Sequence, residues 1–436
     1  MQRQRISRRT FLEAGAVAGA GFLAPLSVPS ALGQEGKAAP SERIELAVIG
    51  IGGRGRHDLG QFLAMPGEQV VAVCDVDKKH LAAGKELANK QYGNTACQSY
   101  SDFRELLAIG SIDAVCIATP DHWHALIAVA AANAGKDVYC ESPLANSVGE
   151  SRAICKAIKS SGRILQCGCH ERSNPKVRYA CELVRQGHLG DLKSIRIQMP
   201  TDQAHHDHVR KSLEMPPAAE PPEGFNYDFW LGPTPKEPYS PGRCHFWWRF
   251  IHHYGGGEMT DRGSHILDIA QLAGGKDGTG PSRVWASGER NPTGLYDAFM
   301  NYEFVYTYDD GLQVIGNSKG PRGLRFEGTK GSLFVHVHGG NLEADPKSLL
   351  DVKLEGFDPN APAPSHHQNF IDCVKSRQQS LATAESAHRT ATICHLINIA
   401  MTLGRELRWD PQTERILDDA EANRLLFPPM REPWML

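Results

Sequence analysis

The sequence lacks the features that would point it towards nucleic acid, a membrane or a disulfide scaffold. It has no basic stripe: 47 Lys and Arg stand against 50 Asp and Glu, and a mildly acidic chain does not suit a nucleic-acid partner. It has no apolar run fit for a stable spanning helix, since Ala14 to Leu26 is too short and too rich in glycine. Its 11 cysteines are an odd number without a regular framework, so they are expected as buried thiols. Cys167-x-Cys169 is too close for zinc-ribbon spacing and reads as packing at a strand end. No helical HxxxH, no HExxH and no cysteine pair supports a metal. In His205-His206-Asp207-His208 adjacent imidazoles point to different sides, so no metal is expected. No internal repeat is visible.

What is present begins with an address. Ser7-Arg8-Arg9-Thr10-Phe11-Leu12 is a twin-arginine pattern, preceded by Arg3 and Arg5 and followed by the Gly/Ala-rich run and a small-residue site, Ala31-Leu32-Gly33. No cysteine near that site supports a lipid anchor. The expectation is a periplasmic or otherwise exported protein, off the membrane once the signal is removed. Loss of the four arginines and Glu13 of residues 1–33 takes the formal charge from −3 to −6. The remaining stretch, about 400 residues, exceeds one typical domain and suggests two.

Residues 45–55 form a short apolar strand running into Gly50-x-Gly52-x-x-Gly55, with Gly53 and Arg54 inside the turn. A second apolar run, Val70 to Cys74, ends in Asp75. Each part has a separate task around a dinucleotide. Gly50 allows the tight turn, Gly52 lets the backbone approach the pyrophosphate, and Gly55 lets the helix pack on the strand. The helix N-terminus offers free N–H groups to the phosphates. Asp75 can accept hydrogen bonds from the adenosine ribose, and its charge opposes a 2′-phosphate, so the expected cofactor is NAD rather than NADP. Twin-arginine export moves folded proteins, often with cofactor bound, so NAD is expected to be loaded in the cytoplasm and retained.

From 44 to 165, strands near 45–50, 70–74, 113–118, 137–140 and 163–167 alternate with helices near 55–64, 77–92, 101–109, 122–134 and 147–160, as a parallel sheet requires. Beyond 170 a helix near 175–186 precedes strand-like runs at 192–199, 283–290, 299–308, 311–317, 324–328 and 332–336. Hairpin signals such as Asp309-Asp310-Gly311 make that sheet largely antiparallel. Residues 201–254, rich in Pro, His and Trp, read as one long functional loop. A Pro-rich linker, Pro359 to Pro364, leads to a helical tail. The expected fold class is α/β: a Rossmann parallel-sheet domain (44–168), then an α+β domain with a large open, mostly antiparallel sheet (169–365). A signal peptide (1–33) and linker (34–43) precede them, and C-terminal helices and a tail (366–436) follow.

Three motifs close successive strands: Thr119-Pro120-Asp121-His122-Trp123-His124, then Glu141-Ser142-Pro143, then Cys167-Gly168-Cys169-His170-Glu171-Arg172. Ligands of open parallel sheets bind outside the carboxyl ends of the strands, so these tips should face the cofactor. A fourth motif runs from Gly255-Gly256-Gly257 through Asp261 and His265 to Asp268. If it opens a helix, Asp261 and His265 share one face at i and i+4, where a carboxylate can orient an imidazole and raise its basicity. Asp268, three residues past His265, falls on the same side. Arg243, His245, Trp247, Trp248 and Arg249 form an aromatic–basic cluster suited to a carbohydrate pocket. Tyr227 to Trp230 reads as core rather than site.

Together, the glycine turn with Asp75, Thr-Pro-Asp-x-x-His, Glu-x-Pro and Asp-x-Gly-x-His resemble the Gfo/Idh/MocA family of glucose–fructose oxidoreductase and inositol dehydrogenase relatives. The resemblance extends to Tyr227-Asp228-Phe229-Trp230-Leu231-Gly232-Pro233 and His367-Gln368-Asn369-Phe370, and is nearest to the large exported members. It implies oxidation or reduction of a sugar, glycoside or polyol hydroxyl through bound NAD. It also implies an open sheet that mediates oligomerisation, so a homo-dimer or tetramer is expected. It casts His265 as general base with Asp261 orienting it. The strand-end tips put Thr119, Pro120, His124, Glu141, Ser142, Pro143 and His170 around the cofactor, and Arg172, with Arg243, His245, Trp247 and Arg249 of the aromatic–basic cluster, is expected around the substrate. One departure stands out: the family's Glu-Lys-Pro lysine is Ser142, which cannot carry the charge beside the reacting oxygen. Three classes stay open: a dehydrogenase, an NAD-using glycoside hydrolase working by transient oxidation and elimination, and a non-catalytic relative that keeps its cofactor.

Overall fold

A computed structural model describes residues 43–337, 339–358 and 365–436. The twin-arginine pattern, nearly all of the 34–43 linker and the Pro-rich 359–364 segment fall outside the described residues. Among the described residues no helix is long and apolar enough to cross a membrane.

The first sheet consists of β1 (Ile44–Ile49), β2 (Glu68–Cys74), β3 (Gln98–Tyr100), β4 (Ala114–Ile117), β5 (Asp137–Cys140) and β6 (Leu165–Cys167). Its order, β3-β2-β1-β4-β5-β6, reverses direction at β1, and every pairing is parallel. Strands buried on both faces read as continuous apolar runs, and β4 and β5 are buried at every position. One face packs helices Gly53–Leu63 and Lys78–Tyr92, the other Phe103–Leu107, Asp121–Asn133 and Val148–Ser161. The expected strands and helices are all found within a few residues. Strand β3 is the omission: three residues, none of them buried, leave no pattern to read.

The second sheet has nine strands: β7 (Leu192–Gln198), β8 (Arg283–Glu289), β9 (Asn301–Thr307), β10 (Gln313–Asn317), β11 (Gly323–Gly328), β12 (Gly331–His336), β13 (Leu342–Asp345), β14 (Leu407–Asp410) and β15 (Arg415–Ile416). Its order is β13-β12-β11-β7-β10-β9-β8-β14-β15. All pairings are antiparallel except β7 with β10. Alternation sets its faces: Val284, Ala286, Tyr302, Phe304, Tyr306 and Val314 turn into the core. Trp285, Val305 and Ile315 lie on the opposite, more exposed face.

The expected single loop at 201–254 is instead broken by a helix at Gln203–Lys211, a short helix at Tyr227–Leu231 and 3-10 turns at Pro241–Arg243 and Trp247–Phe250. Its aromatic residues, including Phe225, Trp230, Tyr239, Trp248 and Tyr254, form a small core of their own. The C-terminal region returns to both units. Phe370, Ile371 and Val374 of helix His366–Ser376 pack under the first sheet. Helix Ala384–Leu403 gives Ala384 and Ala387 to one core and Ile393 to Met401 to the other. A helix buried on nearly every side shows no amphipathic stripe.

Candidate functional site

The glycine turn has the geometry its sequence promised. Gly50 has φ +89°, and a Cβ on Gly55 would lie 1.7 Å from the Gly50 carbonyl oxygen. Backbone cannot yield at that distance, so only glycine allows the helix so close to β1. A Cβ at Gly52 or Gly53 would meet nothing within 4 Å, leaving the turn open towards the cavity. No side chain caps helix Gly53–Leu63 and no acid sits in its first turn, which suits an anion there. Asp75 is fixed from two sides: Ile51 N–H donates to its Oδ2 at 2.6 Å and Asp77 N–H to its Oδ1 at 2.8 Å.

A cavity of about 670 Å³ begins at this turn and at Asp75 and runs past Thr119, Pro120 and His124 to Glu141, Ser142, His170, Asp261 and His265. The strand-end motifs therefore meet along one wall, outside the carboxyl ends of β1, β2, β4, β5 and β6. His124 staples two of them, its Nδ1 2.8 Å from the Pro143 carbonyl and its Nε2 2.9 Å from the Thr119 carbonyl. Burial holds this imidazole below its usual pKa, against the pull of the two carbonyls, and with both ring nitrogens engaged its role is structural. Pro143 thus acts through its carbonyl, behind the wall. Thr119 Oγ1 is buried without a protein partner, and lies where a bound nucleotide could satisfy it. The residues present fit NAD.

At the inner end Arg54 Nη2 donates to Glu141 Oε1 at 2.9 Å, and its Nε lies 3.2 Å from Asp58 Oδ1. Burial, with Asp58 adding to it and Arg54 opposing, pushes the Glu141 carboxyl up to about 7. Ser142 Oγ, at the position where the family carries lysine, stands 3.3 Å from His265 Nε2. The His170 and His265 rings are 4.7 Å apart, centroid to centroid. Helix Glu258–Asp261 stops at Arg262 and a second helix, Gly263–Ala273, restarts at once, so Asp261 and His265 belong to different helices. Asp261 Oδ1 accepts from Arg249 Nε at 3.3 Å, and Arg249 lies over the Trp248 ring, 4.5 Å from its centroid. Both Asp261 and His265 line the cavity.

Three substrate-site expectations do not converge here. Arg172, only 3% exposed, is locked in an ion pair with Asp268 (2.6 Å) and another with Asp277 (2.7 Å), and it does not line the cavity. Asp268 therefore turns into the core, away from the face His265 shares with the site. Arg243 is buried against the Pro238 carbonyl, the Tyr254 hydroxyl and Glu237. Trp247 stacks on His208, with centroids 3.8 Å apart. Its neighbour Trp248 lines the cavity instead, with His245 and Arg249.

Other lining residues carried no separate signal. Asp121, part of a motif but not assigned to the site, is buried facing Arg249 and Asp261, and burial raises its pKa well above the carboxylate range. Phe229 and Trp230, read as core, line the cavity as well as supporting it. His57 and His80 came from helix faces that nothing in the sequence singled out. All 11 cysteines are buried and free, as expected.

Fold and site together define a nucleotide-binding oxidoreductase with a second α/β domain. The chain belongs to the Gfo/Idh/MocA family: residues 44–169 match the oxidoreductase family's NAD-binding Rossmann fold, and residues 173–436 its C-terminal alpha/beta domain. The cofactor of this Rossmann domain is NAD. A glycosyl hydrolase family 109 protein of Shewanella pealeana is 30% identical over 209 residues, 43% of this chain and 44% of that protein. The chain thus spans less than half the length of that relative. A scyllo-inositol 2-dehydrogenase (NAD(+)) of Bacillus subtilis is 27% identical over 360 residues, 78% of this chain and 89% of its own. A solved levoglucosan dehydrogenase, in complex with NADH and levoglucosan, superposes with TM-score 0.63 at 19% identity over 84% of this chain and 98% of that one. At that identity the likeness shows the fold.

Cofactor affinity tests this geometry. Calorimetry on stripped protein should show NAD(H) bound much more tightly than NADP(H). Asp75→Ala should weaken NAD(H) by about 1.5–3 kcal/mol if the carboxylate bonds the ribose. Gly52→Ala should lower affinity with little loss of stability, because its methyl fills space the pyrophosphate needs and touches no protein atom. Equal or tighter NADP(H) binding would sink the reading of Asp75.

Proposed function

We propose that the protein is an enzyme, an NAD-dependent oxidoreductase that moves a hydride between a sugar, glycoside or polyol hydroxyl and bound nicotinamide. The observation that carries this is the continuous cavity, with a fixed acidic ribose acceptor, Asp75, at one end and His265 beside Ser142 at the other. NAD, when bound, supplies the hydride acceptor. The chain's own groups then have separate tasks. His265 takes the hydroxyl proton, and a neutral imidazole suits that work. Ser142 Oγ holds the hydroxyl in the place of the missing lysine. His170 supplies a second polar group. Asp261 favours the protonated imidazole and, with Arg249, contacts substrate hydroxyls, while the buried Trp248 ring backs the Arg249 guanidinium.

A second reading keeps the same cavity for a glycoside hydrolase working by transient oxidation and elimination. The serine in place of lysine and the glycosyl hydrolase relative favour it. Single-turnover NAD reduction with a panel of glycosides and polyols separates the two. A dehydrogenase yields stoichiometric NADH, and a hydrolase yields product without net NADH. If His265 is the base, His265→Ala should lower turnover by roughly 10²–10⁴ with NAD affinity nearly unchanged, and Asp261→Asn should lose less. Ser142→Lys should hold or raise the rate in a dehydrogenase, because a cation returns beside the developing alkoxide. In a site rebuilt for elimination it should crowd His170 and His265 and cut activity. Full activity in His265→Ala would remove the mechanism. Ligand-induced stabilisation without product would leave a binding protein.

The exposed face of the second sheet, with Trp285 at 38% exposure, supports a closed homo-oligomer, dimer or tetramer. Light scattering that finds a monomer at micromolar concentration would count against it. The twin-arginine pattern supports export to the periplasm of a folded, NAD-loaded protein. Replacing Arg8 and Arg9 together with lysine should hold the protein in the cytoplasm, and unchanged export would refute that route.

A further inference from the structure

A second cluster sits at the Asp75 end of the cavity, where hydride chemistry makes no use of it. Asp77 and His80 come from the start of helix Lys78–Tyr92, and His245 from the distant aromatic segment. One ligand-capable atom of each lies within 4.8 Å of the others. The two imidazoles meet edge to face, with centroids 5.3 Å apart. They border a separate cavity of about 320 Å³.

The meeting is built rather than incidental. Lys78 N–H donates to the Gly224 carbonyl and Asn226 N–H to the Val76 carbonyl, both at 3.0 Å. An antiparallel bridge joins Asp77 to Phe225, so the segment is pinned along the end of β2. His245 then holds φ 57°, a left-handed conformation that a non-glycine residue adopts only at an energetic cost. Asp77 spends Oδ1 on Lys79 N–H at 2.8 Å, leaving Oδ2 to ligate. Asp75 Oδ2 stands 3.7 Å from His80 Nδ1, longer than a hydrogen bond but near enough for its charge to favour a cation at the cluster. Lys79 and Glu223 also border the cavity and balance each other in charge.

We propose that Asp77, His80 and His245 form a binding site for a zinc-class divalent cation. The cation would clip the His245 segment to the end of β2 over the adenosine side of the cavity. Two imidazoles and a carboxylate with open positions suit zinc, whereas Mg²⁺ and Ca²⁺ prefer oxygen ligands throughout. The site was invisible to spacing rules because its ligands lie in two remote segments. Its place over the adenosine rests on the NAD reading; its affinity for metal does not.

The experiment uses untagged, metal-free, NAD-stripped protein titrated with zinc chloride in a calorimeter. One zinc per chain, in the low micromolar range or tighter, is the expected result. His245→Ala and His80→Gln should each weaken it by about tenfold or more. His206→Ala, in the histidine-rich helix, should leave it unchanged. No zinc uptake, or uptake unaffected by both ligand variants, overturns the site. Stopped-flow fluorescence then follows NADH release with zinc and with chelator. Slower release with zinc in wild type, and not in His245→Ala, establishes the clip. Equal rates overturn the clip. If NADH fails to bind at all, the NAD reading fails while the zinc titration still decides the metal site.

Discussion

The inner end of the cavity depends on one buried ion pair. Arg172 leaves the 3-10 turn His170–Ser173 and meets Asp268, one helical turn beyond His265, through two hydrogen bonds of 2.6 and 2.8 Å. Asp277, the Leu381 carbonyl and the Thr390 hydroxyl complete the cluster. A bidentate guanidinium–carboxylate pair fixes orientation as well as distance. It therefore sets the end of β6, which carries His170, against helix Gly263–Ala273, which carries His265. Removing one partner from such a pair typically costs about 3–5 kcal/mol, because the other charge stays buried alone. Two imidazoles from separate elements can face each other because this pair locks the elements behind them.

Around that anchor, burial lowers the pKa of several histidines that tie the backbone together. Burial lowers His122 to about 4, with the Trp230 carbonyl as its nearest acceptor, and His366 to about 3, with the Cys167 carbonyl likewise. These imidazoles join segments. Ser142 is the informative exception. Where a lysine would place a full positive charge next to His265, a hydroxyl stands, and the nearby positive charge comes from Arg54, already engaged by Glu141 and Asp58. The inner end is therefore a polar pocket without a free lysine charge, bordered by the Trp248 ring.

Much of the fold was legible, for local reasons. Buried parallel strands leave unbroken apolar runs, β8 to β10 leave alternation, and the glycine turn leaves a spacing that steric contact at Gly50 and Gly55 enforces. Less was legible where packing overrides pattern. Helix Ala384–Leu403 serves two cores and shows no stripe. The segment 201–254 looked irregular because its order comes from an aromatic core closed by partners elsewhere. The same limit applies to charge. Arg172 and Arg243 have the composition of ligand-binding arginines, and sequence cannot tell an arginine that greets a ligand from one sealed against a carboxylate.

By itself the sequence determined the Rossmann domain with its NAD cofactor, the second sheet and the strand-end tips that wall the cavity. These follow from backbone periodicity and from chemistry at fixed short spacing. The tertiary structure alone decided which side chains share the cavity: Trp248 rather than Trp247, Asp121 beside Asp261, Ser142 against His265, and His245 beside Asp77 and His80. Such pairings join residues far apart in the chain. They are fixed by which elements the cores press together, a long-range outcome that no local spacing records.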